Sequence, residues 1–207
     1  MKVLVGCEYS GVVRRAFRAR GHDAWSCDLL PAEDDSPHHY QCDVELLLHE
    51  NWGWDLLIAH PPCTHLARSG ARWLTDHWVM SKAAPGGRRW HDGSEKRRQF
   101  KEAVAFVRRL ANAPVSRIAI ENPRGMLSTH WRKPDQEIQP WMFGHGEMKT
   151  TALWLKNLPN LVPSKIVDGR EQRLWKLPPQ TPERWKERSR TYPGIGAAMA
   201  EQWGATA

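Results

Sequence analysis

Three short clusters of this 207-residue chain hold side chains able to make and break bonds. In the first, Pro61-Pro62-Cys63, a proline pair keeps the backbone extended and the next residue out of any helix interior. Cys63 is thereby displayed rather than packed. A thiol is only slightly ionised at neutral pH and attacks as the thiolate; His60 and His65 flank this one and favour the anion. The competing reading is a cysteine that serves as a small buried hydrophobe. The second cluster, Glu121-Asn122-Pro123, follows the apolar Ile118-Ala119-Ile120. Burial at a strand end penalises an ionised carboxyl, so Glu121 is expected to have a raised pKa and to donate a proton near neutrality. A structural cap would use the same residues. The third cluster is the turn Gly6-Cys7-Glu8-Tyr9-Ser10-Gly11. Its glycines permit close approach of a ligand to the backbone and to the next helix N-terminus, and a plain strand-to-helix turn has the same composition. No Lys-Ser/Thr follows Gly11, which excludes a phosphate-gripping P-loop.

Alternating strand and helix patterns place these clusters. Lys2–Gly6, Asp23–Cys27, Asp55–Ala59, Arg117–Ile120 and Thr150–Leu155 read as strands, with a further short element at Gln41–Val44. Helical spacing marks Val12–Arg20, Glu95–Leu110 and Gly194–Trp203. The implied fold is α/β, around a mostly parallel sheet. Ligands of such sheets lie beyond the carboxyl ends of the strands, where all three clusters fall. Asp28, followed by Leu29, ends the second strand, where it suits ribose hydroxyls or a simple turn cap; Asp43 ends the next element. Residues 64–95 show no periodicity and read as a functional loop or lid.

The chain carries a net charge of +7, unevenly spread. Residues 1–63 hold five Lys/Arg and ten Asp/Glu; the remainder holds 25 and 13. A small-molecule pocket joined to a polyanion-binding face suits this asymmetry, and basic surface for solubility is the simpler account. Twelve tryptophans include several beside arginine, as in Arg72-Trp73, Arg89-Trp90 and Arg184-Trp185, a combination suited to stacking on bases and gripping phosphates. The four cysteines lack CxxC spacing and the histidines are scattered, so neither disulfides nor a metal site are expected. No apolar run is long enough for a membrane span, and the first residues read as a strand rather than a secretion signal, which implies a cytoplasmic protein.

Taken in order, these clusters resemble the motifs of the DNA cytosine-5 methyltransferases: a glycine-bearing first turn, Pro-Cys, then Glu-Asn. Ala59-His60-Pro61-Pro62-Cys63, Ile138–His145 and Trp185–Ile195 are similar to segments of small phage- and prophage-associated members. The resemblance runs nearly end to end and implies one catalytic domain over 1–207, a Rossmann-like methyltransferase sandwich. It implies S-adenosylmethionine as cofactor, seated by Gly6, Cys7, Glu8, Tyr9, Ser10, Gly11, Asp28, Leu29, Asp43 and Pro61. DNA is the implied partner, with Cys63 as nucleophile, Glu121 as acid partner and Asn122 positioning the loop. Arg68, Arg72, Arg88, Arg89, Lys149, Arg188 and Arg190 are the expected nucleic-acid contacts.

The chain also departs from the family. Val5-Gly6-Cys7-Glu8-Tyr9 replaces the Phe-x-Gly-x-Gly turn, and Glu8 is expected near the cofactor's amino-acid portion. Lys149 stands as a partial replacement for a Gln-x-Arg-x-Arg motif. A small basic region over 156–193 occupies the place of a recognition domain, which is reduced or absent. The alternatives are a related cytosine-modifying transferase that acts on a free nucleotide or transfers a different group, and a catalytically silent DNA-binding protein of the same fold. An amino-methyltransferase would need Asp or Asn before Pro-Pro and an aromatic after it; His60 and Cys63 stand there.

Overall fold

A computed structural model describes residues 1–83, 85–176, 178 and 184–205. In chain order the elements are β1 (Lys2–Gly6), α1 (Val12–Arg18), β2 (Asp23–Asp28), β3 (His39–Gln41), β4 (Leu56–Ala59), β5 (His77–Met80), β6 (Arg88–His91) and α2 (Ser94–Ala111). Then follow β7 (Arg117–Pro123), α3 (Leu127–His130), β8 (Gln136–Ile138), β9 (Thr151–Lys156), α4 (Arg173–Lys176), α5 (Arg184–Ser189) and α6 (Pro193–Gln202).

Seven strands form one sheet in the order β3-β2-β1-β4-β7-β9-β8. The first five are parallel, and β9 runs antiparallel between β7 and β8. This is a Rossmann-like α/β arrangement, with a mostly parallel sheet. Side chains alternate between two cores, as a sheet covered on both faces requires. Val3, Val5, Leu56 and Ile58 point into the layer with Val13 and Phe17 of α1 and Ile195 and Met199 of α6. Leu4, Leu57, Ile118 and Ile120 point into the layer with Phe100, Val104, Val107 and Leu110 of α2. No helix among the described residues is long and apolar enough to cross a membrane.

The parallel register carries the strand ends to one edge: Gly6 lies opposite both Cys27 and Ala59, and Ala59 opposite Ile120. Gly6 must be glycine there, because a Cβ would stand 2.8 Å from Cγ2 of Val44. The next turn is built around Glu8, whose buried carboxylate accepts the amides of Val13 (2.7 Å) and Arg14 (3.3 Å) at the start of α1. A carboxylate satisfies orphan amides and opposes the positive end of the helix dipole.

The stretch 64–95, expected to be irregular, holds a 3-10 turn (Arg68–Leu74) and the antiparallel β5–β6 hairpin. Val79 is the one apolar residue on the inner face of this ribbon, too little for periodicity to reveal; His77 and His91 pack on Trp73, tilted and edge-on, at ring separations of 5.5 and 4.8 Å. Part of the basic region, residues 179–183, lies outside the described residues.

Candidate active site

Beyond the ends of β1 and β2 lies a cavity of about 440 Å³. Cys7, Cys27, Asp28, Leu29, Cys42 and Asp43 line it on the sheet side, and Pro62 and His65 join it from the β4 loop. The opposite wall is a stripe of α2 that includes Gln99, Glu102, Ala103 and Phe106, one face of a helix by its spacing. Asp28 accepts the Leu30 amide (3.0 Å), and burial raises its pKa. Asp43 accepts the Glu45 amide (2.9 Å), while Glu45 pairs with Arg109. Burial, with the charges of Asp28, Asp43 and Glu45, pushes the Cys7 thiol up to about 12 and keeps it protonated.

Of the first turn, the cavity touches Cys7 alone. Glu8 is turned inward as the cap of α1 and does not line the cavity. Tyr9 directs its hydroxyl to Ser189 (3.3 Å) and its ring to Trp185. Ser10 is buried, its carbonyl accepting from Arg15, and Gly11 adopts a left-handed φ of 66° at the N-terminus of α1.

Next to this cavity, the loops after β4 and β7 form a polar cleft. Because Ala59 and Ile120 are register partners, the residues following them meet: His60 Nδ1 lies 3.0 Å from Glu121 Oε2. These side chains are 7% and 15% exposed, so the pair is sheltered from solvent screening. His60 Nε2 is buried without a partner among the described residues. Asn122, also buried, donates its Nδ2 to the Pro61 carbonyl (2.7 Å), tying the cysteine loop to β7. A second tie is the Met126 amide on the Leu66 carbonyl (2.8 Å). It leaves no room at Gly125, where a Cβ would come within 2.5 Å of that carbonyl oxygen. Pro61 thus belongs to the tied loop, and it is Pro62 that reaches the cavity.

Lys149, an expected nucleic-acid contact, enters the cleft half-buried, with Nζ donating to the Arg190 carbonyl (3.1 Å) and lying over the Tyr192 ring. The segments Ile138–His145 and Trp185–Ile195 meet behind it. The Gly194 amide donates to His145 Nε2 (3.0 Å), and the Tyr192 hydroxyl donates to Glu147 (2.7 Å). Lys149 is drawn inward because the carboxylate of Glu121 and the thiol of Cys63 both favour its charge against a dominant burial penalty, which lowers its pKa.

These charges fix the protonation states. Burial opposes ionisation of Glu121, but the hydrogen bond and charge of His60, the charge of Lys149 and a hydrogen bond with Thr151 outweigh it. Glu121 therefore titrates below the ordinary carboxylate range, which corrects the expectation of a raised pKa. Burial would depress His60, and Glu121 overcomes it, so the imidazole titrates above its ordinary range. One proton is thus held between Nδ1 and Oε2. Cys63 is exposed on its loop; partial shelter of its sulfur, with the charge of Glu121, raises the thiol, and Arg188 and Lys149 act in the opposite sense.

The remaining basic residues divide. Arg190 is paired with Glu33, and Arg72 stacks on Trp73 at 4.4 Å. Arg68 shares the same 3-10 turn as Arg72, while Arg88 and Arg89 extend exposed from β6. Sequence reasoning missed the cavity wall on α2, although Gln99, Glu102, Ala103 and Phe106 carry a helical period, and it missed the partnership of His60 with Glu121.

No protein-family model matches the chain, and no curated protein matches it. Among solved structures it is similar to a protein described as a DNA modification methyltransferase encoded within a prophage, from E. coli. The TM-score is 0.51 at 14% identity, over 87% of this chain and 56% of that one. The likeness establishes the fold: these residues stand on a methyltransferase-type α/β sheet that spans little more than half of the larger protein.

Proposed function

We propose that the chain is a DNA methyltransferase that moves a methyl group from S-adenosylmethionine to carbon 5 of cytosine through a covalent adduct with Cys63. The observation that carries this reading is geometric: sheet register sets His60 3.0 Å from Glu121, and Asn122 holds the Pro61 carbonyl at 2.7 Å, so the loop that carries Cys63 is fixed against the end of β7 beside Glu121. Pro62, adjacent to the cysteine, lines the neighbouring cavity.

That cavity suits the cofactor. Its size falls within the range of small-molecule sites. Asp28 and Asp43 are acceptors for ribose hydroxyls and an adenine amino group, and Phe106 and Val44 offer apolar contact. Its carboxylates also complement a sulfonium cation. When bound, S-adenosylmethionine supplies an electrophilic methyl group.

The chain's own residues do the rest. The Cys63 thiolate forms a bond to carbon 6 of cytosine, and the displaced π electrons make carbon 5 nucleophilic. Glu121 holds ring nitrogen 3 and passes it the proton shared with His60, so no full charge builds on the ring. After carbon 5 is methylated, its proton passes to water and the C–H electrons restore the 5,6 double bond as the carbon 6–sulfur bond breaks; the thiolate returns, and ring nitrogen 3 gives its proton back to Glu121. Lys149 and Arg188 favour that thiolate, while Asn122 and the Gly125 contact hold its loop. A base in a duplex must first leave the stack.

The test uses DNA carrying 5-fluorocytosine, in which the proton that must leave carbon 5 is replaced by fluorine. With S-adenosylmethionine, the protein is expected to form a band stable to denaturing electrophoresis, absent in Cys63→Ser. No band with the parent protein on any cytosine context, or an undiminished band in Cys63→Ser, overturns the covalent mechanism.

A further inference from the structure

The β5–β6 hairpin has two unlike faces. Alternation and register put His77, His91, Val79 and Arg89 on one, where the histidines pack on Trp73 and His91 Nε2 meets the Trp73 carbonyl (3.0 Å). The other face carries Trp78, Trp90, Met80 and Arg88, and none of the described residues covers it. Trp78 is 63% exposed, Trp90 50% and Met80 81%. The two indoles meet edge to face at 5.4 Å, so one keeps a ring face open to solvent. A two-stranded ribbon is marginal by itself, and presenting two tryptophans to water brings it no folding benefit.

The root of this ribbon is clamped. Arg97, in the first turn of α2, donates to the Leu74 carbonyl (2.8 Å) and to Asp76 (2.9 Å), and Asp76 accepts the Gly93 amide (2.7 Å). Both strands are therefore fixed to the sandwich, just downstream of the Cys63 loop. Residues 77–91 contain Lys82, Arg88 and Arg89 and no Asp or Glu. A cationic, aromatic and acid-free surface has the chemistry to stack on bases and pair with phosphates.

We propose that this hairpin is the chain's DNA-contacting arm: its Trp78/Trp90 face stacks on unpaired bases beside the target cytosine, Arg88 on that face holds an adjoining phosphate, and the exposed Arg89 holds another from the opposite side of the ribbon. The arm takes over work that a separate recognition domain would do. It rests on the reading that DNA is the substrate, and its occupant is a nucleic acid rather than a second copy of the chain, because two copies would bring like charges together.

Binding of fluorescein-labelled cytosine-containing single-stranded DNA, followed by anisotropy across a salt series, tests it without any chemistry. Trp78→Ala/Trp90→Ala is expected to weaken binding by about tenfold or more, with an unchanged dependence on salt. Arg88→Gln/Arg89→Gln is expected to lower the slope of log K against log salt by about one to two. Trp78→Tyr/Trp90→Tyr keeps the rings and should bind like the parent, which guards against a mere folding defect. Parental affinity in the alanine variant overturns the arm, as does a dimer in light scattering that this variant dissociates. The 5-fluorocytosine band separates the two proposals. A missing band with stacking-dependent binding removes the carbon 5 chemistry and leaves the arm. A normal band with unchanged affinity in the alanine variant does the reverse.

Discussion

The cavity beyond β1 and β2 and the polar cleft beyond β4 and β7 share one sheet edge, yet they are stabilised in different ways. The cavity's carboxylates are placed by short-range contacts, Asp28 on the Leu30 amide and Asp43 on the Glu45 amide. Each holds its place through its own turn. The cleft is assembled from the β4 loop, β7, the approach to β9 and the segment before α6, and none of its ionisable groups has its titration set locally. Glu121 is acidic because of His60 and Lys149; Lys149 is half-buried in company with Glu121 and Cys63; Cys63 balances Glu121 against Arg188. A perturbation in the cavity should therefore stay in the cavity, whereas one in the cleft should spread to every charged partner.

The sharpest break in this contrast is Glu121→Gln. Methyl transfer is expected to fall by roughly a hundredfold or more, the scale of a lost general acid, while S-adenosylhomocysteine binds as before. The same change removes the carboxylate that raises the Cys63 thiol, so Cys63 should react faster with iodoacetamide at neutral pH, mapped by peptide mass spectrometry. Slower or unchanged alkylation would show that residues 63 and 121 do not sense one another. Cys7 is an internal control: its pKa near 12 keeps it slow in both proteins.

Asp28→Asn probes the other region with a smaller effect. Losing a charged acceptor for a hydroxyl should weaken S-adenosylhomocysteine by about tenfold, or about 1.4 kcal/mol, in calorimetry. Cys63 alkylation should not change. A coupled shift in thiol reactivity would erase the distinction between a locally built cavity and a collectively built cleft.

That distinction also explains what could be read from sequence. Strand ends are legible because buried parallel strands such as Leu56–Ala59 and Ile118–Ile120 are apolar runs that stop abruptly at polar residues. The positions of Cys63, Glu121 and Asp28 follow from that punctuation. The sign of the Glu121 shift does not. It depends on His60, sixty-one residues away, arriving through sheet register, and on Lys149 folding inward from the approach to β9. Glu8 is ambiguous for the opposite reason: an acidic residue after the first strand serves a ligand or a helix equally well in sequence, and only the fold shows that the amides of Val13 and Arg14 meet it. The hairpin is hidden because its inner face is histidine on tryptophan, so neither strand shows an apolar period. The α2 wall carries a period that mixes polar and apolar residues, which reads as ordinary helix surface until the cavity opposite is seen.

The finest test of the collective cleft is its pH dependence. Glu121 titrates below the ordinary 4.5, so its contribution to stability is present above that value and is lost as pH falls through the depressed folded pKa. His60 titrates above the ordinary 6.5, so its contribution is complete below that value and is lost as pH rises through the raised folded pKa. Both contributions are complete only between about 4.5 and 6.5. His60→Gln should therefore lower Tm most within that window, with the gap from the parent protein narrowing on the alkaline side as the parent's imidazole loses its proton. Differential scanning calorimetry of both proteins from pH 5 to pH 9 measures this gap. If the gap is flat across the range, no proton is shared between residues 60 and 121, and Glu121 must hold its charge against Lys149 alone. Lys149→Met would then be the more damaging substitution.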